Sequence, residues 1–447
     1  MTEPQRTAPG GTGGTGAAVP PASRAAFYDD LEARDPALRE QALMAALPRQ
    51  VAHAQSASAA FAELLRGVEA QSVTSRAALA TLPVTRKHEL LARQQAARAE
   101  GAGSDPFGGF ATIGWRGLLR AQGARRVFQS PGPQYEPEGA GPDYWRCARA
   151  LFAAGFRAGD LVHNSFSYHL TPAGSMMESG CQALACTVFP GGVGNTELQL
   201  QAMVELRPHG YVGTPSFLKL LLDKAAEEAI ALPGLNKALV SGEAFPPSLR
   251  DAIRARGIEG YQCYATADLG LIAYETEARE GLVIDEGVIV EIVRPGTGDL
   301  LPPGEVGELV VTALNADYPL IRFGTGDLSA LLPGLCPTGR TAPRIKGWMG
   351  RADQTTKVRG MFVHPEQVAA IVRRHPEIAK ARLVVSGEMA NDAMTLRAEV
   401  QDPQQALAAR IAQSIRELTK MRGEVELLAP GSLPNDGKVI EDARRYE

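Results

Sequence analysis

What this chain lacks narrows it quickly. Cysteine is scarce: Cys147, Cys181, Cys186, Cys263 and Cys336 are five in number, with no Cys-x-x-Cys spacing among them. An odd, scattered set argues against a disulfide framework and a structural zinc site, and points to a reducing compartment. Long hydrophobic runs are missing, since no segment approaches the roughly 18 apolar residues of a membrane span. The N-terminal MTEPQRTAPGGTGGTGAAVPPAS has no apolar signal core, so a cytoplasmic location is expected, with no membrane partner. Charge of one sign is absent too. The 46 Lys and Arg against 50 Asp and Glu leave a net charge of −4 without a basic block, which disfavours nucleic acid as a partner. What is present is apolar bulk: 45% of the 447 residues are hydrophobic, ample for a large core divided between two or three domains.

Residues 1–23 read as a disordered tail, because their Gly, Pro, Thr and Ala bury almost nothing. From 24 to about 101, segments such as ALREQALMAALPRQVAHAQ carry apolar positions at helical spacing. Between about 145 and 260, short apolar runs (DLVHNSF, CTVFPGG, GYVGTPS, KALVSGE) alternate with helical ones (DYWRCARALFAAGF, FLKLLLDKAAEEA). Each run ends in a Gly, Pro or Ser turn, the pattern of parallel sheet with crossover helices, in which ligands lie at the carboxyl ends of the strands. From about 281 to 330 the character turns to β, with VIVEIV, GELVVTAL and LIRFGTGDLSALL. After Trp348 a small unit with the order β, α, β, β, α runs to the C-terminus. The expected fold class is α/β, with no internal repeats. A large domain over 24–350 has mixed sheets with crossover helices and a β-rich subdomain; a small α+β domain covers 351–447.

Lys438, in LPNDGKVIEDARR, draws attention because a lysine ammonium on a flexible stem can bridge a carboxylate and a phosphate. A lone Gly-Lys turn is ordinarily a solvated surface lysine, so its upstream company decides the matter.

That company is recognisable. LFAAGFRAGDLVHNSFSYHLTPAG, CTVFPGGVGNTELQLQAM, GYVGTPSFLKLL, GEVGELVVTAL, YPLIRFGTGDLS, RIKGWMGRADQTTKVRGMFVHPEQV and LPNDGKV follow in order from about Tyr28 to the end. Together they resemble the phenylacetate–CoA ligase family, within the adenylate-forming acyl-CoA synthetase superfamily. The resemblance implies a two-domain enzyme that uses ATP and Mg²⁺ to turn a carboxylate into an acyl-adenylate. Coenzyme A then displaces AMP to give the thioester. It also implies that the small domain is mobile and rotates between the half-reactions, and by family habit a homodimer. By position, Asp327 matches the aspartate that binds the ribose hydroxyls. Arg322 is its expected partner or a phosphate ligand. Arg351 is expected to contact the nucleotide, and Asp353 is the domain pivot. Gly360 lies beside the pantetheine tunnel, and Lys438 is the adenylation lysine. Glu243 falls near the adenine, with a helix N-terminal role equally open.

Two places depart from the family. Its phosphate loop, roughly SSGTTGKP, is matched here by RRVFQSPGPQYEPEG: Ser130 and Gly132 remain, Pro131 and Pro133 have no N–H to donate, and Glu136 and Glu138 add negative charge. Arg125 and Arg126 are candidate replacements for the lost donors. At YQCYATADLG, Tyr264 keeps the aromatic position expected against adenine. Asp268 stands where the family places a metal-binding glutamate, a shorter but legitimate Mg²⁺ ligand. The acyl group is expected near Tyr168, His169, Ala173 and Gly174, with Gly191, Gly192 and Gly194 allowing close backbone approach. The favoured activity is activation of an aryl-acetate or similar carboxylate by ATP and its transfer to CoA. A non-catalytic AMP or acyl-CoA binder, and adenylation with transfer to a carrier-protein thiol, stay open.

Overall fold

The computed structural model describes residues 26–101, 104–115, 123–130, 133–352, 354, 356–359, 361–387, 392–434 and 438–444. The tail, Gly132, Asp353 and Gly360 therefore lie outside the described residues.

A nine-stranded sheet organises the larger part. Its strands Thr187–Pro190, Leu161–Asn164, Gly210–Gly213, Lys237–Val240 and Glu259–Thr266 run parallel. From Glu259–Thr266 onward the pairing turns antiparallel, through Gly270–Glu275, Leu282–Ile284, Arg344–Ile345 and Leu331–Leu332. Parallel neighbours need crossovers, and helices Ala173–Ala183, Thr196–Leu206, Pro215–Glu227 and Pro247–Arg254 supply them. Helix Pro215–Glu227 shows how the sequence sets this. Thr214 caps it by accepting from Phe217 N, Pro215 stands in its first turn, and Leu218, Leu221, Leu222 and Ala225 form the buried stripe.

The β-rich region forms a four-stranded sheet of Thr85–Arg86, Phe323–Ser329, Gly307–Ala313 and Val288–Val293. Its apolar face packs with the N-terminal helices, whose Leu43, Leu47, Val51 and Phe61 share a core with Ile289, Val311 and Phe323. The small unit has a four-stranded sheet in the order Glu424–Leu428, Ala393–Val400, Ile378–Ser386, Ile440–Asp442. Helices Pro365–Arg374 and Gln405–Thr419 supply Val368, Ile371, Leu407, Ile411 and Ile415 to its core.

Two features differ from expectation. The small unit runs past its expected last helix into two more strands: Glu424–Leu428 pairs in parallel with Ala393–Val400, and Ile440–Asp442, two residues after Lys438, pairs in parallel with Ile378–Ser386; edge strands this short show little period. The expected phosphate loop is a β-hairpin, with Arg126–Ser130 paired antiparallel to Gln134–Glu138 from Arg126↔Glu138 to Ser130↔Gln134.

Candidate active site

Asp327 lies on strand Phe323–Ser329, and three donors converge on its carboxylate. Tyr264 Oη donates to Oδ2 at 2.6 Å, while Arg351 NH1 and Trp348 Nε1 donate to Oδ1 at 2.9 and 3.1 Å. Gly326, at φ +72°, makes room for this: a Cβ there would sit 2.5 Å from Arg351 NH2. Arg351 also donates to Thr325 O at 3.0 Å and bridges to Asp327 through the backbone. Burial, then the Asp327 charge, pushes the Tyr264 phenol well above its ordinary value, so the phenol stays a donor. The structure thus brings Asp327, Arg351 and Tyr264 together, and Trp348 joins them.

A second cluster lies beyond the end of the Tyr264 strand. Asp268 is buried. Its Oδ2 pairs with Lys87 Nζ at 3.1 Å, and its Oδ1 accepts from the Gln134 amide. On the hairpin, Ser130 Oγ donates to Glu136 Oε1 and receives Lys87 Nζ at 3.4 Å. Glu136 is 0% exposed. Burial, reinforced by the Asp268 charge, pushes its carboxyl up to about 8, so it carries its proton at neutral pH. Burial lowers the Lys87 ammonium, but the Asp268 and Glu136 carboxyls outweigh this and hold it above its ordinary value. Arg351 acts in the opposite sense on Lys87, which places the two clusters within electrostatic reach.

Mg²⁺ does not fit Asp268 as this cluster stands, because an ammonium and an amide N–H already hold both carboxylate oxygens. Among the described residues, no group of three His, Cys, Asp or Glu side chains gathers to hold a metal. Among its described residues, the hairpin does not wrap as the expected phosphate loop would. Gln129 N and Tyr135 N point away, to Leu170 O and Gln94 Oε1. Arg126 pairs with Glu138 on the same hairpin at 3.2 Å and Arg125 N donates to Glu138 O, so Arg126 is committed within the hairpin.

Arg322 requires a correction. It is 2% exposed, pairs with Glu291 at 3.1 Å, and donates to the carbonyls of Ala80, Leu82 and Gly298. These partners tie the β-rich sheet to the N-terminal helices and leave the guanidinium neither Asp327 nor a phosphate. Glu243 is exposed and accepts from Ser216 N at 3.4 Å, which favours its helix N-terminal role.

On the acyl side, Asn164 Nδ2 donates to Tyr168 Oη and to Gly174 O, both at 2.8 Å. A Cβ at Gly174 would sit 2.7 Å from Ser167 O and 2.9 Å from the Tyr168 ring. Gly192, at φ +68°, donates its N–H to Asn164 O at 3.0 Å. Ala173 opens the following helix, whereas His169 is exposed. Lys438 is exposed on the small unit, its carbonyl accepting from Arg382 Nε at 3.2 Å.

Lys87, Gln134 and Trp348 were not apparent from the sequence. Lys87 and Asp268 are 181 positions apart, so no motif spacing could link them.

Comparison with known proteins accords with this architecture. The AMP-binding enzyme profile matches residues 167–315, and that of the AMP-binding enzyme C-terminal domain matches 360–444. Phenylacetate-coenzyme A ligase of Aromatoleum evansii is 30% identical over 390 residues, covering 82% of this chain and 84% of its own. The Thermus thermophilus protein of the same name is 31% identical, over 64% and 71%. Among solved structures, 2-hydroxyisobutyryl-CoA ligase with 2-HIB-AMP and CoA, in its thioesterification state, superposes with a TM-score of 0.77 at 23% identity, over 95% and 94% of the chains. The chain thus belongs to the AMP-binding enzyme family of adenylate-forming ligases, with the phenylacetate–coenzyme A ligases among its relatives.

Proposed function

We propose that this protein is an AMP-forming carboxylate–CoA ligase. The carboxylate attacks the α-phosphorus of ATP and releases pyrophosphate, giving an acyl-adenylate. The thiol of coenzyme A then attacks the acyl carbon and releases AMP. The observation that carries this reading is the Asp327 carboxylate, ringed by Tyr264, Trp348 and Arg351 at the edge of the small unit. A carboxylate with two accepting oxygens suits a pair of ribose hydroxyls. In this reading the hydroxyls displace the Trp348 and Arg351 donors from Oδ1, and Arg351 turns to the α-phosphate. Tyr264 stacks on the adenine.

The small domain, 351–447, pivots at Asp353 and brings in Lys438 to neutralise the carboxylate and the α-phosphate together. It then presents Gly360 beside the pantetheine path. The acyl group lies among Tyr168, Ala173, Gly174 and Gly192, with His169 at the exposed mouth. An aryl-acetate or similar flat carboxylate suits these small walls, in keeping with the names of the relatives. Mg²⁺ enters as the counterion of ATP. A cytoplasmic homodimer completes the reading.

A pyrophosphate-release assay across a carboxylate panel, with ATP, Mg²⁺ and CoA, tests it. We expect turnover with at least one aryl-acetate and none in Lys438→Ala; folded protein without turnover on any acid overturns it. The proline-bearing hairpin favours a second reading, an adenylate binder without ATP chemistry. Calorimetric binding of AMP but not of ATP·Mg²⁺ would select it.

A further inference from the structure

The Asp268 cluster has the donor set of a cation site. Gln134 and Glu136 are neighbours at i and i+2 on one strand, so both face the same side. Each is 0% exposed, and each keeps one oxygen, Gln134 Oε1 and Glu136 Oε2, buried without a hydrogen-bond partner. Buried orphan acceptors are uncommon and call for an explanation. Asp268 brings a third side chain into the cluster through its bond to the Gln134 amide. The Asp268 carboxylate and the Gln134 amide oxygen suit a hard divalent ion, and Glu136 would join them by releasing its proton when one binds. One positive charge already lies among them: Lys87 Nζ, 3.1 Å from Asp268 Oδ2 and 3.4 Å from Ser130 Oγ. Lys87 is the first residue of helix Lys87–Ala99, so its backbone is fixed, and 41% of its side chain still reaches solvent.

We propose that the Lys87 ammonium is a built-in replacement for a divalent cation, seated in an oxygen site formed by Asp268, Glu136 and Gln134, so that this chain holds no metal ion of its own at Asp268. The charges favour the replacement. One ammonium neutralises the Asp268 carboxylate, whereas a divalent ion beside that ammonium would crowd three positive charges around it. The hairpin is consistent with the replacement, since its described strands, Arg126–Ser130 and Gln134–Glu138, pair with each other rather than wrap a metal-bound polyphosphate. The inference rests on the nucleotide-site reading but makes a separate demand on it.

The experiment is Mn²⁺ titration followed by electron paramagnetic resonance, with the full-length protein alone and with AMP, beside AMP calorimetry. Wild type is expected to bind AMP and to immobilise no Mn²⁺. Lys87→Ala, which vacates the seat, is expected to gain a Mn²⁺ site of about one equivalent, lost again in the Lys87→Ala/Asp268→Asn double variant. Lys87→Arg, which keeps the charge, is expected to behave as wild type and guards against loss of fold in the alanine variant. Mn²⁺ binding by wild type that Asp268→Asn abolishes would overturn the inference. So would a folded Lys87→Ala protein that gains no site. Failure of AMP to bind would instead count against the nucleotide-site reading and leave the Mn²⁺ comparison standing.

Discussion

Replacing Glu136 by Gln should change how stability depends on pH. In the folded protein burial and the nearby Asp268 raise the Glu136 carboxyl from 4.5 to about 8. A group raised on folding contributes stability that is complete below its unfolded value and is lost as pH rises toward the folded one. Between about pH 4.5 and 8 the unfolded chain has released this proton and the native chain has not, so wild type loses stability through that window. At about 1.4 kcal/mol per pH unit, the full window amounts to roughly 5 kcal/mol. Glutamine keeps the oxygen that accepts from Ser130 and does not titrate, so the variant escapes the loss. Denaturation midpoints of both proteins from pH 4.5 to 8.5 read the difference directly, because other titrations largely cancel. Relative to wild type, Glu136→Gln should gain with pH, by roughly 7 °C across the window at about 1.5 °C per kcal/mol for a unit of this size. A flat difference would refute the burial argument, and a difference falling with pH would mean that the folded protein holds Glu136 ionised.

Other substitutions separate framework from site. Arg322→Met should cost about 3–5 kcal/mol, since it strands Glu291 and the buried carbonyls, and should lower the unfolding midpoint while leaving the nucleotide affinity of the folded fraction unchanged. Gly326→Ala places a Cβ 2.5 Å from Arg351 NH2 at a φ of +72°; displacing Arg351 should weaken AMP binding about tenfold by calorimetry, a loss of about 1.4 kcal/mol. Gly174→Ala drives a methyl toward Ser167 O and the Tyr168 ring, and should raise the KM for the carboxylate about tenfold with that for ATP unchanged, in line with about 1–3 kcal/mol of overpacking.

How much the sequence reveals depends on whether the relevant physics is local. Contiguous motifs carry Asp327, Tyr264 and Arg351, and the fold brings these three side chains into contact. The parallel strands were legible because each is a short apolar run closed by a turn. Arg322 misled for the same reason: it stands in the right motif, yet the backbone places its side chain beneath the sheet against Glu291. The Lys87–Asp268 pair was invisible, since it joins a helix start to a turn 181 residues away. The hairpin at Ser130 is not legible as strands, because Pro133 and Pro137 are residues that a strand pattern disfavours and Gln134–Glu138 carries no alternation of burial.

The central claim is that one site makes an adenylate and passes its acyl group to coenzyme A. It is tested most directly by quantifying AMP and acyl-CoA together after incubation with ATP, CoA and an aryl-acetate, in wild type and in Asp327→Ala. The account predicts equal amounts of the two products from wild type and neither from the variant. AMP bound by wild type with no acyl-CoA formed, or equal turnover in the two proteins, would contradict it.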